Sequence, residues 1–217
     1  MSRPKGARNT DYNAKRVELL ARMLPRFVRR DLERPSLRQL AAAAGVTVPT
    51  LRHYFGTRTE VVAALLEDYR RRGAARLQAV AQPTGDFAQS IEEFVQSFLR
   101  GLRAQGAVRL GDMFAVSLAE GLLAPDISLF TLQHVIDPAV DGLEARLRRH
   151  QARGEMRSAD PRAAALMLIS PMLLAVLHQD QMGGAASYPL DLDSFAEQTA
   201  AAFVRAFSPD PPRGEAV

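Results

Sequence analysis

The sequence contains no cysteine, and it has almost no segment with the pattern of a β-strand. Without cysteine the chain forms neither a disulfide scaffold nor a thiolate metal site, and a reducing cytoplasm is compatible with it. β-Branched residues do not alternate with polar residues between hairpin turns, so we expect no β-sheet. The expected core is therefore helical and has no covalent cross-links.

Long apolar runs are also missing. The most apolar segment, residues 163–177, is interrupted by Ser170 and Pro171 and is followed by His178. Because a transmembrane helix needs about 20 apolar residues, we interpret this segment as a buried helix and expect no membrane partner. The N-terminus is basic and has no apolar stretch behind it, unlike a secretory signal. We therefore expect a cytoplasmic protein.

Helix-forming residues are abundant, with apolar side chains every three or four positions, and hydrophobic residues make up 47% of the chain. This periodicity predicts an all-α fold of about nine helices. A capping box at Thr57 and Glu60 opens a helix that is predicted to run unbroken to about Ala81. Pro138 is expected to divide a later helical segment, and the last helix is predicted over residues 192–207.

Positive charge is concentrated at the N-terminus. Residues 1–60 contain 13 Lys and Arg against 5 Asp and Glu, a net charge of +8, whereas residues 61–217 contain 15 against 19, a net charge of −4. This asymmetry favours a polyanionic partner for the first part of the chain only. The alternative is a basic tail that merely keeps the chain in solution, and charge alone does not decide between them.

Residues 36–58 have the pattern of a helix-turn-helix. Ser36 and Gln39 have the spacing of a capping box, which starts a short helix, and Gly45 lets the chain reverse after it. Thr47 caps a second short helix, with Pro49 in its first turn, where no backbone N–H is required. Two short helices joined by a compact turn indicate a DNA-binding element.

The second helix of such a motif enters the major groove, with its first residues against the base edges. Arg52 is suited to guanine and Val48 to a thymine methyl group, although an exposed arginine is also often only solvated. Arg3 and Lys5 are predicted to reach a groove or phosphates as a basic arm, with a disordered tail as the alternative. The other predicted DNA contacts are Ser36, Thr47, Pro49, Thr50, His53, Tyr54 and Arg58.

The segment Ala-Gly-Val-Thr-Val-Pro-Thr-Leu-Arg-His-Tyr-Phe at residues 44–55 resembles the helix-turn-helix of the tetracycline-repressor (TetR) family. The likeness covers residues 12–66 well and is architectural beyond them. It implies that Tyr54 binds a phosphate and that Arg58, in place of the usual lysine, meets the DNA backbone at a helix N-terminus. Arg52 replaces a tyrosine of the family, so the base preference is expected to differ. In the alternative interpretation, Tyr54 and Phe55 are simply core residues.

These observations together predict a homodimeric repressor that a small apolar or amphipathic effector releases from a palindromic operator. Residues 1–56 would form the arm and DNA-binding domain, residues 57–208 a helical effector-binding and dimerisation domain, and residues 209–217 a disordered tail. Two half-sites about 34–36 Å apart require a dimer, which we expect through residues 160–182 and 192–207. The alternative for these two apolar stripes is the internal core.

Met and Phe side chains suit an adaptable apolar pocket, although most of them are ordinary core residues. The predicted effector-binding residues are Met113, Phe114, Phe130, His134, Met167, Met172 and His178. No histidine has a second ligand at metal-binding spacing, and no nucleophile motif is found. We therefore expect no cofactor, no metal and no enzymatic activity. A helical ligand carrier or protein-interaction module without specific DNA binding is the alternative function.

Overall fold

The computed structural model describes residues 5–28, 34–104 and 108–209, with side chains from residue 11 onward. Within these ranges every regular element is a helix, which confirms the all-α prediction. The helices are α1 (Lys5–Phe27), α2 (Leu37–Ala44), α3 (Val48–Phe55), α4 (Arg58–Arg72), α5 (Ala74–Val80), α6 (Phe87–Arg103), α7 (Leu110–Leu123), α8 (Pro125–Thr131), α9 (Asp137–Ala152), α10 (Pro161–Val176), α11 (Gly184–Ser187) and α12 (Leu192–Phe207). Two π-helical turns, Leu132–Ile136 and Leu177–Gln181, follow α8 and α10.

Six of the twelve helices in the described ranges begin where a short polar side chain caps the first turn. Ser36 and Thr57 both form complete capping boxes, with Gln39 and Glu60 respectively. The Asp86 carboxylate accepts a hydrogen bond from the backbone N–H of Gln89 at 2.9 Å. Each cap satisfies a backbone donor that has no partner within the helix, so these helix starts are fixed by residues only three positions apart.

The prediction of one helix from Thr57 to about Ala81 is wrong. The helix is interrupted at Gly73, where α4 ends and α5 begins. A single glycine costs only about 1 kcal/mol in a helix, so the local sequence alone did not require the break. The predicted division near Pro138 is confirmed, because the first π-helical turn separates α8 from α9 there.

The chain forms two compact units. The first contains residues 1–73, 105–108 and 112–135, and thus α1 to α4, most of α7 and α8. Its core is built from the buried faces of α1 and α4, together with Leu40, Leu51 and Phe55 from the two short helices and Met113 and Ile127 from α7 and α8. The short helices α2 and α3 are held by this core rather than by their own length, since isolated eight-residue helices are not stable.

The second unit contains residues 74–104, 109–111 and 136–217. Helix α6 packs against α12, and α9 and α12 pack against α10. Arg146 of α9 is almost fully buried and donates to the carbonyl oxygens of Val80 at 2.7 Å and Ser90 at 2.8 Å. This buried cation satisfies the last turn of α5 and stands over the ring of Phe94, so it links three helices of the unit.

One helical segment of the described residues, Pro161–Gln181, is long and apolar enough to cross a membrane by length and composition. Ala165, Leu168 and Met172 on one of its faces have no exposed surface and belong to the core of the second unit. Leu166, Met167 and Leu174 on another face are exposed. The segment is thus a core helix with a second apolar face that the described residues leave uncovered.

Candidate nucleic-acid interface

Helices α2 and α3 form the predicted helix-turn-helix. Gly45 follows α2 with φ of 71°, in the left-handed region, and its N–H bonds back to the carbonyl oxygens of Ala41 and Ala42. Thr47 then caps α3, with its hydroxyl oxygen 3.3 Å from the backbone nitrogen of Thr50. Gly56, with φ of 84°, ends α3. Glycine adopts these values without strain, so both ends of the short helix are set by the sequence around them.

The surface of α3 divides into a buried and an exposed face. Leu51 and Phe55 are buried in the core of the first unit. Thr47, Pro49, Arg52 and His53, all predicted to contact DNA, are exposed, whereas Val48, Thr50 and Tyr54 are half-buried. The arrangement presents polar and basic side chains outward from a helix that the core holds in place. Ser36 is also exposed, at the start of α2.

Two residues of α1 that the sequence analysis did not select hold the C-terminal end of α3. The rings of Tyr12 and Tyr54 stack with centroids 4.9 Å apart, and the Tyr12 hydroxyl donates to the Tyr54 carbonyl oxygen at 3.3 Å. Arg16 donates to the same carbonyl oxygen, and its guanidinium lies 4.6 Å from the ring centroid of Phe55. These contacts satisfy carbonyl groups that a helix end leaves without partners.

Arg58, predicted to contact the DNA backbone, is bound to a carboxylate of its own chain. Its Nη1 donates to Oε2 of Glu120 at 3.0 Å, its Nη2 donates to Oε1, and its Nε donates to the carbonyl oxygen of Pro35 at 2.7 Å. Arg34 donates to the same Oε2 from Nη2 at 2.7 Å and from Nε at 3.1 Å. Glu120 lies on α7 and is 1% exposed.

The electrostatics of this cluster favour the ionised carboxylate. Burial raises the pKa of Glu120, but the hydrogen bonds from Arg58 and Arg34 outweigh burial, so the pKa lies below its ordinary value. One feature of the sequence could have identified Glu120 as a residue with a special role. It is the only charged side chain between Met113 and Leu123. An isolated charge in an apolar helix needs a partner, but the sequence did not show which residues supply it.

The predicted arm lies outside the description, since Arg3 precedes the described residues and the side chain of Lys5 is not described. The predicted effector residues fall in both units. In the first, Met113 is fully buried, Phe114 and His134 are half-buried and Phe130 is exposed; in the second, Met172 is fully buried, His178 is half-buried and Met167 is exposed. Their role in binding an effector stays a prediction.

His134 differs from the other predicted effector residues in one respect. Its Nδ1 is buried and has no hydrogen-bond partner among the described residues. Burial lowers the pKa of His134, and Arg70 lowers it further against the opposing effect of Glu67, so the neutral ring is favoured. The ring lies beside Phe130, with centroids 5.7 Å apart. It therefore offers an unused hydrogen-bonding group next to an aromatic surface.

Comparison with known proteins places the DNA-binding region in a family. Residues 25–65 match the family model described as bacterial regulatory proteins, tetR family. A search by sequence among curated proteins found no match. The matched residues contain α2, α3 and the start of α4, and thus the whole helix-turn-helix.

Solved structures extend the likeness over the fold. A TetR-family transcriptional regulator from Mesorhizobium loti superposes with a TM-score of 0.72 at 14% identity, covering 91% of this chain and 98% of its own. Reduced NemR from Escherichia coli superposes with a TM-score of 0.67 at 19% identity, covering 92% of this chain and 99% of its own. SmeT, the repressor of the Stenotrophomonas maltophilia multidrug efflux pump SmeDEF, superposes with a TM-score of 0.60 at 23% identity, covering 90% of this chain and 91% of its own. The helix-turn-helix of this chain thus matches the tetR family of bacterial regulatory proteins in sequence, and the chain as a whole has the fold of solved TetR-family regulators.

Proposed function

We propose that the protein is a homodimeric repressor that binds a palindromic operator through α3 and leaves it when a small apolar or amphipathic effector binds. The observation that carries this proposal is the exposed face of α3, where Arg52 and His53 project from a helix fixed by buried Leu51 and Phe55. Side chains at these positions can meet base edges in a major groove. Repression as the sign of regulation is supported by the likeness to SmeT, which is itself a repressor.

Base reading and backbone binding are assigned to different residues. Arg52 is the candidate for bidentate contact with guanine, the commonest specific contact in protein–DNA complexes. Tyr54, half-buried and stacked on Tyr12, is the candidate for a phosphate contact through its hydroxyl. The basic balance of residues 1–60 adds attraction for the phosphate backbone that does not depend on the base sequence.

Dimerisation is proposed through α10 and α12 of the second unit. Leu166, Met167 and Leu174 form an exposed apolar face on α10, and Leu174 is 65% exposed. Helix α12 packs against α10 and presents Ala201 and Ala202 outward. A second copy of the same surface would remove this apolar area from water, as a twofold-symmetric four-helix contact does.

The effector class follows from the chemistry of the predicted effector residues. Phe114 and Phe130 supply aromatic surface in the first unit, and the buried Nδ1 of His134 supplies one hydrogen-bonding group beside it. An amphipathic molecule with one polar group matches this combination. We expect the protein to act in the cytoplasm, where its DNA lies, and to catalyse no reaction.

A gel-shift titration with duplex DNA from upstream of the protein's own coding sequence tests the proposal. Wild-type protein should shift the duplex, and its affinity should fall steeply as salt increases. The double variant Arg52→Ala/Tyr54→Phe should lose most of that affinity. The matched control is Arg100→Ala/Tyr188→Phe, which changes the same residue types at exposed positions of the second unit outside the proposed dimer surface and should bind like the wild type.

Two results would contradict the proposal. The first is a wild-type protein that shifts no upstream duplex at low salt, and the second is a double variant that binds as well as the control. Tight binding of apolar molecules without any DNA binding would support the ligand-carrier alternative instead.

A further inference from the structure

The cluster of Glu120, Arg34 and Arg58 is the most strongly bonded buried charge group in the described part of the first unit. Arg58 occupies both oxygens of the carboxylate, and Arg34 bonds twice to Oε2. Removing a carboxylate from water costs several kcal/mol, and Glu120 is 1% exposed. These hydrogen bonds are therefore what makes a charge at this position of α7 tolerable.

Both arginines come from the DNA-binding region. Arg34 lies two residues before the cap of α2, and Arg58 is the first residue of α4. Their side chains are 38% and 24% exposed, so both guanidinium groups are within reach of solvent and of a ligand from solvent. A phosphate offers the same paired anionic oxygens that a carboxylate offers to an arginine fork.

We propose that Glu120 restrains DNA binding by competing with a DNA phosphate for Arg58. In the DNA-free protein Arg58 is held by Glu120, and in the complex it turns to a phosphate while Arg34 keeps the buried carboxylate paired. This inference rests on the proposed DNA-binding function and adds a specific internal competitor to it. Each DNA-binding event then includes the free energy of breaking the Arg58–Glu120 contact.

Arg34 can keep the buried carboxylate paired when Arg58 turns away. If Arg58 leaves, Glu120 still has the two hydrogen bonds from Arg34 to Oε2, while Oε1 loses its partner and Oε2 loses one of its three bonds. Arg58 is also the first residue of α4, and the backbone N–H groups at a helix N-terminus favour an anion as well. Arg34 therefore stays with the carboxylate.

A double-mutant cycle measured by DNA affinity tests the competition. Glu120→Gln keeps the shape and one acceptor but removes the charge, so the upstream duplex should bind about tenfold more tightly, the change expected from one charge-assisted hydrogen bond. Arg58→Ala should weaken binding and reduce the slope of log affinity against log salt by about 0.9, the value for one phosphate contact. In the Arg58→Ala background, Glu120→Gln should no longer increase affinity.

Asp126→Asn is the matched control, because it removes one carboxylate charge from an exposed position of the same unit. It should leave DNA affinity close to the wild-type value. Equal or weaker binding by Glu120→Gln, or a gain that persists without Arg58, would overturn the competition. These outcomes differ from failure of the proposed function, in which the wild type itself binds no duplex.

If Glu120→Gln does not fold, as judged by circular dichroism, the variant Arg58→Lys tests whether Glu120 competes with DNA for Arg58. Lysine keeps the charge for a phosphate but cannot bridge both carboxylate oxygens and the Pro35 carbonyl at once. We expect this variant to bind DNA at least as tightly as the wild type, with an unchanged salt slope. A loss as large as that of Arg58→Ala would contradict the proposal.

Discussion

Tyr12 and Tyr54 stack at 4.9 Å between ring centroids, and the Tyr12 hydroxyl donates to the Tyr54 backbone carbonyl at 3.3 Å. One residue of α1 thus fixes both the ring and the main chain of a predicted phosphate-binding residue. The contact spans 42 positions of sequence. The position of Tyr54 therefore depends on how α1 packs in the first unit as well as on α3 itself.

Tyr12→Ala is expected to destabilise the protein by about 1 to 2 kcal/mol, because it removes an aromatic pair and a helix-end hydrogen bond. Tyr12→Phe should cost less than 1 kcal/mol, since it keeps the stacked ring. DNA affinity should fall in the alanine variant and remain near wild type in the phenylalanine variant. Urea unfolding and gel shifts measure the two effects. Tyr188→Ala, at a tyrosine that is 75% exposed, should change neither the stability nor the DNA affinity.

Gly45→Ala and Gly154→Ala form a matched pair, because φ is 71° at one glycine and 72° at the other. Neither new Cβ would meet an atom closer than 3.4 Å, so both substitutions should cost about 1 kcal/mol through backbone conformation alone. Only Gly45→Ala should also weaken DNA binding, since Gly45 sets the turn between α2 and α3. Gly45→Asn should recover part of the loss, because asparagine tolerates the left-handed region. Equal DNA affinity in both alanine variants would contradict this assignment.

Glu120 should make stability depend on pH in the acid range. Its pKa is lower in the folded chain than the value of about 4.3 expected when unfolded. The stabilisation is therefore complete above that value and is lost as pH falls through the folded pKa. At pH 7 we expect the free energy of unfolding of the wild type to exceed that of Glu120→Gln by about 1 to 2 kcal/mol. The value is modest because Arg34 is partly exposed, so solvent screens its interaction with Glu120.

Urea unfolding of the two proteins between pH 7 and pH 3 tests this dependence. The difference in unfolding free energy should be constant down to about pH 5 and should shrink below about pH 4. A difference that is independent of pH would show that the charge of Glu120 contributes nothing to folding. Asp126→Asn again supplies the comparison for an exposed carboxylate.

Leu174→Glu should convert the proposed dimer to a monomer without unfolding it. The side chain is 65% exposed in the single chain, so the charge meets water in the monomer and a desolvated apolar surface in the dimer. Sedimentation at micromolar concentration should give twice the chain mass for the wild type and the chain mass for the variant. Leu122→Glu places the same charge on a leucine of the first unit that is 76% exposed, and this variant should remain dimeric. A wild type that sediments as a monomer would rule out the dimer.

The features that could be predicted from sequence are those set by near neighbours. The capping boxes at Ser36 and Thr57, and the caps at Thr47 and Asp86, each depend on residues within three positions. Local chemistry of this kind is visible in the sequence. The helix-turn-helix could therefore be located before its three-dimensional structure was known.

The features that could not be predicted depend on distant residues. Glu120 and Arg58 are 62 positions apart, and nothing near either one indicates the other. Arg58 was assigned to DNA by resemblance, and the carboxylate that binds it in the free chain became apparent only from the packing of α7. The roles of Tyr12 and Arg16 were missed for the same reason, because only the fold brings α1 to the end of α3.

Different residues of the α3 segment form its fully buried face and its exposed face. Leu51 and Phe55 hold the helix in the core, while Thr47, Pro49, Arg52 and His53 lie on its surface. Under the proposed function, substitutions of Arg52 and His53 should change which operator is preferred and leave the packing of Leu51 and Phe55 intact. The proposed function therefore implies that operator preference can change during evolution, or be redesigned, one surface side chain at a time.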